Sequence, residues 1–147
     1  MVGPRLRGVK AAAGIGLLLA MVGCFAHRYP RLVVTHAELL ADMAEKGRDL
    51  VVAGRFTAES LPELTYPLER ATVYEAEARQ RFGATVPASL EAFTSLVAEY
   101  QIFVRTLDDL RRQPQDQREI TRPPLDAAVA SLRRRADEVR AAAVGGR

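Results

Sequence analysis

The 147-residue chain has one cysteine, no tryptophan, two histidines and two lysines, and aromatic residues make up 6% of it. A single thiol, Cys24, excludes a disulfide within the chain and a cysteine-rich zinc site. Two histidines, His27 and His36, with no pair of Glu-x-x-His motifs, argue against a di-metal bundle oxidase. No Gly-x-Ser-x-Gly elbow is present, and the only glycine-rich stretch, Gly3 to Gly16, lies in the apolar beginning of the chain rather than in a phosphate-binding loop. Alternation of the kind a strand needs is confined to Leu32-Val33-Val34 and Leu50-Val51-Val52, which read as a lead-in and a helix end. Long apolar runs are lacking too. The longest, Ala11 to Val22, has 12 residues, and 16 if stretched through Ala26, short of the ~20 that cross a ~30 Å hydrocarbon core.

That short run is nevertheless organised. Arg5, Arg7 and Lys10 precede it and small residues close it, the three-part pattern of an export leader: a cationic start, a short apolar middle and a small-residue exit. At its end, Met21-Val22-Gly23-Cys24 resembles the lipobox of bacterial lipoproteins; Met21 stands where that family most often has leucine. The resemblance covers residues 1–24 only. It implies that the Cys24 thiol receives a diacylglyceryl group, that cleavage falls just before it, and that the new amino terminus is acylated, for instance with palmitate. Each buried CH₂ contributes ~0.8 kcal/mol, and two or more chains make a stable anchor, so an acylated Cys24 would hold the protein on a membrane unaided. Phe25-Ala26-His27 follow, without the aspartate that retains such proteins at the inner membrane. The implied location is the periplasmic face of the outer membrane in a host with two membranes, and otherwise the outer face of the cell membrane. An uncleaved, single-pass signal anchor is the alternative.

Removing the leader takes three of the 21 basic residues and none of the 18 acidic ones, so the remainder is neutral. The basic balance of the whole chain therefore belongs to the leader, and no clustered cationic face points to a nucleic acid.

The remaining 124 residues suit one small domain. Residues 24–34 read as a proline-punctuated tether in which Arg28 and Arg31 can reach lipid phosphates, and 35–147 as the folded domain. Thr35-His36-Ala37-Glu38 matches a capping box that would start a first helix, with Leu40, Met43, Leu50 and Val51 on one face and Gly54 as its C-cap. Ser60 to Glu63 is a second capping box. Pro67 suggests that only a short turn forms there and that the main second helix starts at about Pro67; Leu64, Leu68, Ala71, Ala78 and Phe82 share its face, and Gly83 ends it. From Pro87, Leu90, Phe93, Val97, Tyr100, Val104, Leu107 and Arg111 recur at three and four, the seam of a coiled-coil-like helix. Gln113 to Pro123 is a polar loop. Leu125, Val129, Leu132, Ala136, Val139 and Ala143 repeat the seam in a last helix opened by Pro124. The expected fold is all-α: an up-and-down bundle of three or four helices after a helical N-terminal signal segment.

Candidate chemistry is sparse. Glu75 and Glu77, Asp108-Asp109 and Asp137-Glu138 are paired carboxylates, but each sits among arginines at helical spacing, which suits surface ion pairs better than acid–base work. No catalytic residue, metal ligand or cofactor is expected. Besides Cys24, the residues singled out are Phe103, beside the third seam, with Tyr66 and Tyr74, as contacts for a partner helix. Two function classes follow. One is an anchored module that binds an envelope protein or a second copy of itself; the other is a carrier of a lipid or other apolar ligand in a cavity between helices.

Overall fold

In the computed structural model the described residues are 9–114 and 122–145, with side chains described for residue 25 and, from residue 27 on, throughout those ranges. They form four helices: α1 (Val9–Val52), α2 (Leu61–Phe82), α3 (Ala88–Arg111) and α4 (Arg122–Gly145). One 3-10 turn, Ala58–Ser60, precedes α2, and there is no strand among the described residues.

Cross-helix pairs fix the directions. Glu38 meets Arg140, Asp42 and Glu45 meet Arg133, and Arg48 meets Asp126, so α1 and α4 run antiparallel. Lys46 near the C-terminal end of α1 meets Glu63 at the start of α2, while Tyr29, earlier in α1, meets Phe82 at the end of α2, so α2 is antiparallel to α1 as well. Tyr29 bonds Ser89 and Gly47 abuts Leu107, which makes α1 and α3 parallel and diagonal. The chain is an up-down-up-down four-helix bundle, as its seams imply.

The seams of α3 and α4 are buried throughout. Leu90, Phe93, Val97, Tyr100, Val104 and Leu107 face inward on α3, and Leu125, Val129, Leu132, Ala136, Val139 and Ala143 on α4. Arg111, at the end of the α3 seam, is half-buried and paired with Asp108. Gly47 sits against its neighbours with no room for a side chain: an added Cβ would lie 2.7 Å from Leu107 Cδ1 and 3.1 Å from Leu64 Cδ1.

Helix ends follow backbone chemistry. Gly54 adopts φ 66°, the Arg55 N–H donates to the Leu50 carbonyl and the Gly54 N–H to that of Val51, which is the Schellman pattern that satisfies the last orphan carbonyls of a helix. Gly83, at φ 59°, closes α2 with its N–H donating to the Arg79 carbonyl.

Three expectations need correction, and in each tertiary burial overrides a local signal. First, α1 does not begin at Thr35, and residues 25–34 are not a solvated tether. The helix runs unbroken from Val9 through Pro30, and the Thr35 hydroxyl, instead of capping, donates back to the Arg31 carbonyl at 2.9 Å. A mid-helix proline costs roughly 3 kcal/mol, but Tyr29 and Val33 on either side of it are fully packed in the core, and burying two such side chains contributes about as much or more. Second, α2 starts at Leu61 rather than Pro67, which lies buried inside it. Third, the Ser60 capping box does not form: Ser60 already has helical angles, its Oγ accepts the Thr57 N–H, and Glu63 is paired with Lys46 of α1. Pro87 caps α3 from outside its first turn, and α4 starts two residues before Pro124. The polar loop expected at 113–123 falls largely on 115–121, outside the described residues.

Candidate functional site

The bundle gathers its rings at one end. Phe25, Tyr29, Tyr74 and Phe82 pack together, with Tyr29 edge-on to Phe82 at 4.7 Å between centroids and stacked on Tyr74 at 6.3 Å. His36 lies 4.8 Å from Tyr74 and 6.3 Å from Phe93, extending the group inward. Aromatic pairs at such distances gain beyond their area, preferring tilted and edge-on geometry. The Tyr29 hydroxyl and the Ser89 hydroxyl share a buried hydrogen bond of 3.2 Å, so neither polar group is stranded. Burial raises the Tyr29 phenol above its usual value, with the Ser89 bond pulling the other way. Burial raises Tyr74 more strongly. Burial also lowers the His36 imidazole, and Arg70 adds repulsion to its charged form.

This end is also cationic. Residues 25–37 and 78–90 contain no acidic residue. Arg28 and Arg31 are exposed on α1, Arg81 is exposed on α2 with its guanidinium 4.6 Å above the Phe25 ring, and none of the three has a carboxylate partner among the described residues. Arg79, within the second of these stretches, is paired with Glu75 on its own helix and with Glu91 of α3, and further along the bundle Arg133 meets Asp42 and Glu45 and Arg135 meets Glu99 across helices.

Two open grooves flank the packed interior. One, of about 760 Å³, lies between α1 and the end of α4 and is lined by His27, Pro30, Arg31, Val34, Glu38 and Val144, among others. The other, of about 230 Å³, lies between α3 and α4 toward the opposite end, with Ile102, Phe103, Pro124 and Ala128 in its walls. Both open to solvent.

The residues singled out from sequence do not come together. Phe103 is a correction: it is 3% exposed, packed beside Tyr100 and close to Gly47, and offers a partner almost no surface. A residue beside a seam on a helix with neighbours on two sides is covered by the second neighbour. Tyr66 is 63% exposed on α2, and Tyr74 is half-buried in the ring group, its hydroxyl directed at the Tyr29 carbonyl at 3.4 Å. Ile102, one position from Phe103, is the exposed apolar residue of that region. Cys24 lies in the helical backbone of α1, but its side chain is outside those described. The side chains of the apolar run from Ala11 to Val22 are outside them as well.

Of the paired carboxylates, Glu75, Asp108, Asp137 and Glu138 meet cations. Glu75 Oε1 accepts from both Arg79 and the Thr94 hydroxyl, Asp108 accepts from Arg111 and Arg112, Asp137 pairs with Arg140, and Glu138 with Arg135. The guanidinium of Arg111 holds the Asp108 carboxyl below its ordinary range. No group of three or more potential metal ligands occurs among the described residues, nor is any helix there long and apolar enough to cross a membrane.

The ring group is what sequence reading missed. Its signal was present: Phe25, Tyr29, Val33, Ala37, Leu40, Ala44 and Val51 continue one helical face at spacings of three, four and seven, straight through the presumed tether. Compared with family models, curated proteins and solved structures, the chain gives no significant match to any of them.

Proposed function

We propose that this chain is an envelope lipoprotein, anchored through acylated Cys24, whose bundle serves as a protein-interaction module. The observation that carries the reading is the sequence Met21-Val22-Gly23-Cys24 at the end of a cationic and apolar leader, followed at once by Phe25, the first residue with a described place in the packed bundle. A chain cleaved before Cys24 would begin with its anchor and its fold in immediate succession. The interaction half is supported by Tyr66, Val73 and Ile102, large apolar side chains standing in solvent on α2 and α3.

The test is the intact mass of the protein purified from native membranes, beside a Cys24→Ala variant. The expected native species starts at residue 24 and carries diacylglyceryl and acyl mass, while the variant keeps its leader. An unmodified Met1–Arg147 species overturns lipidation. For the interaction half, crosslinking in those membranes should give a discrete adduct that is lost in Tyr66→Glu or Ile102→Glu; the absence of any adduct overturns it.

A second reading, an uncleaved signal anchor, draws support from the unbroken α1 helix through position 24. The same mass measurement separates the two.

A further inference from the structure

We propose that the aromatic end of the bundle docks directly on the bilayer, with Arg28, Arg31 and Arg81 holding anionic phospholipid headgroups. The inference rests on the membrane-anchor reading above, and holds whether the anchor is an acylated Cys24 or an uncleaved leader.

Three observations converge. The helix that packs against Phe82, Tyr74 and Ser89 is the same continuous helix that carries position 24. A flexible spacer would let the bundle tumble away from its anchor; a helix rises only ~1.5 Å per residue, so the ring group beginning at Phe25 lies within a turn or two of the attachment point. The second observation is charge: the acid-free stretches 25–37 and 78–90 converge on this end, and Arg28, Arg31 and Arg81 have no carboxylate partner among the described residues, whereas Arg79 pairs with Glu75 and Glu91, and Arg133 and Arg135 farther along the bundle are paired as well. The third is position. Arg31 lines the groove toward α4, whereas Arg81 lies over Phe25 on the α2 side, so cations border this end on two sides. A negatively charged headgroup layer attracts such cations by ~1 kcal/mol each, or roughly fivefold per arginine in the docked population. The apolar turn between α2 and α3, Gly83 to Pro87, belongs to the same end and would meet the interface between them.

The chain has no tryptophan, so a single introduced one reports position unambiguously. Ala84→Trp places it in the α2–α3 turn. Arg55→Trp places it just beyond the other end of α1, roughly 40 Å away by helix rise. Both positions are exposed. Each full-length variant, purified from membranes, is reconstituted in nanodiscs of phosphatidylcholine, alone or mixed equally with phosphatidylglycerol, containing a headgroup-spin-labelled lipid as quencher. The expected result is strong quenching of Ala84→Trp and little of Arg55→Trp, with the former rising in anionic discs. Adding Arg28→Gln, Arg31→Gln and Arg81→Gln should remove that rise while helicity by circular dichroism is unchanged.

Equal quenching at the two positions, in a chain still bound to the discs, overturns docking and leaves the anchor standing. Quenching at residue 84 that ignores both lipid charge and the three substitutions overturns the role of the arginines. A chain that elutes apart from the discs overturns the anchor reading, and docking with it.

Discussion

The two sides of α1 are held by different physics. Toward α2 and α3 it meets rings and a close approach: Tyr29 and His36 against Tyr74 and Phe93, and Gly47 against Leu64 and Leu107. Toward α4 it meets a seam of leucine, valine and alanine flanked by Glu38–Arg140, Asp42–Arg133, Glu45–Arg133 and Arg48–Asp126. The first side is shape-specific. The second is smooth, with exposed ion pairs that set direction and register and contribute little free energy each. The difference is one of kind: α1, α2 and α3 form a wedge fitted by ring shape and close approach, while α4 completes the core through a smoother apolar seam.

Substitutions should separate the two sides. Phe93→Ala, which removes a fully buried ring between α1 and α2, is expected to cost about 3–5 kcal/mol in denaturant unfolding, a large share of the 5–15 typical of a whole domain. Gly47→Leu should cost roughly 1–3 kcal/mol or more by overpacking against Leu107 and Leu64; a neutral result would mean the wedge is looser than its distances imply. Tyr100→Phe keeps the ring and deletes the bond its hydroxyl donates to the Leu64 carbonyl at 3.0 Å, for a loss of about 1 kcal/mol. On the α4 side, Arg133→Gln removes two ion pairs yet should cost only about 0.5 kcal/mol, vanishing at high salt. If Arg133→Gln matched Phe93→Ala, the comparison would be broken.

The sharpest discrimination is by pH. His36 is held below its ordinary 6.5 by burial and by Arg70, so its neutral form belongs to the fold. The unfolded chain takes up the proton first, and stability present above pH 6.5 should fall as the pH drops through the lowered value. His36→Gln should flatten that slope. At the alkaline end Tyr29, Tyr74 and Tyr100 are all raised above 10 by burial. Their contribution is intact below pH 10 and is lost above it, as phenols ionise more readily in the unfolded chain. Thermal unfolding across pH, with phenolate absorbance followed in parallel, measures both. Both effects belong to the ring side of α1, where Tyr29, His36 and Tyr74 pack.

Much of this architecture is legible in the residues. On α3 and α4, strict spacing of apolar positions coincides with an absence of competing signals, and every seam position but the final arginine is buried. On α1 the period is just as regular from Phe25 to Val51, but Pro30 and the Thr35–Glu38 capping pattern argue locally for a break. Local signals of that kind amount to one or a few kcal/mol, which the burial of Tyr29 and Val33 can offset. The site residues were read less well. Phe103 and Ile102 are neighbours on one helix, and which of them faces inward depends on where α1 and α4 flank α3, a fact no periodicity within α3 contains.

By itself, then, the sequence determined that the chain is helical, which faces are apolar, where Gly54 and Gly83 stop the helices, and that a cationic and then apolar stretch precedes Cys24. Those properties depend on residues a few positions apart, governed by backbone geometry and side-chain period. Tertiary structure alone decided that α1 continues through Pro30, that Phe103 is core, that Ser89 and Tyr29 satisfy one another across 60 positions, and that Arg28, Arg31 and Arg81 collect at one end. These depend on the sum of burial over distant segments, which no local window of the chain can evaluate.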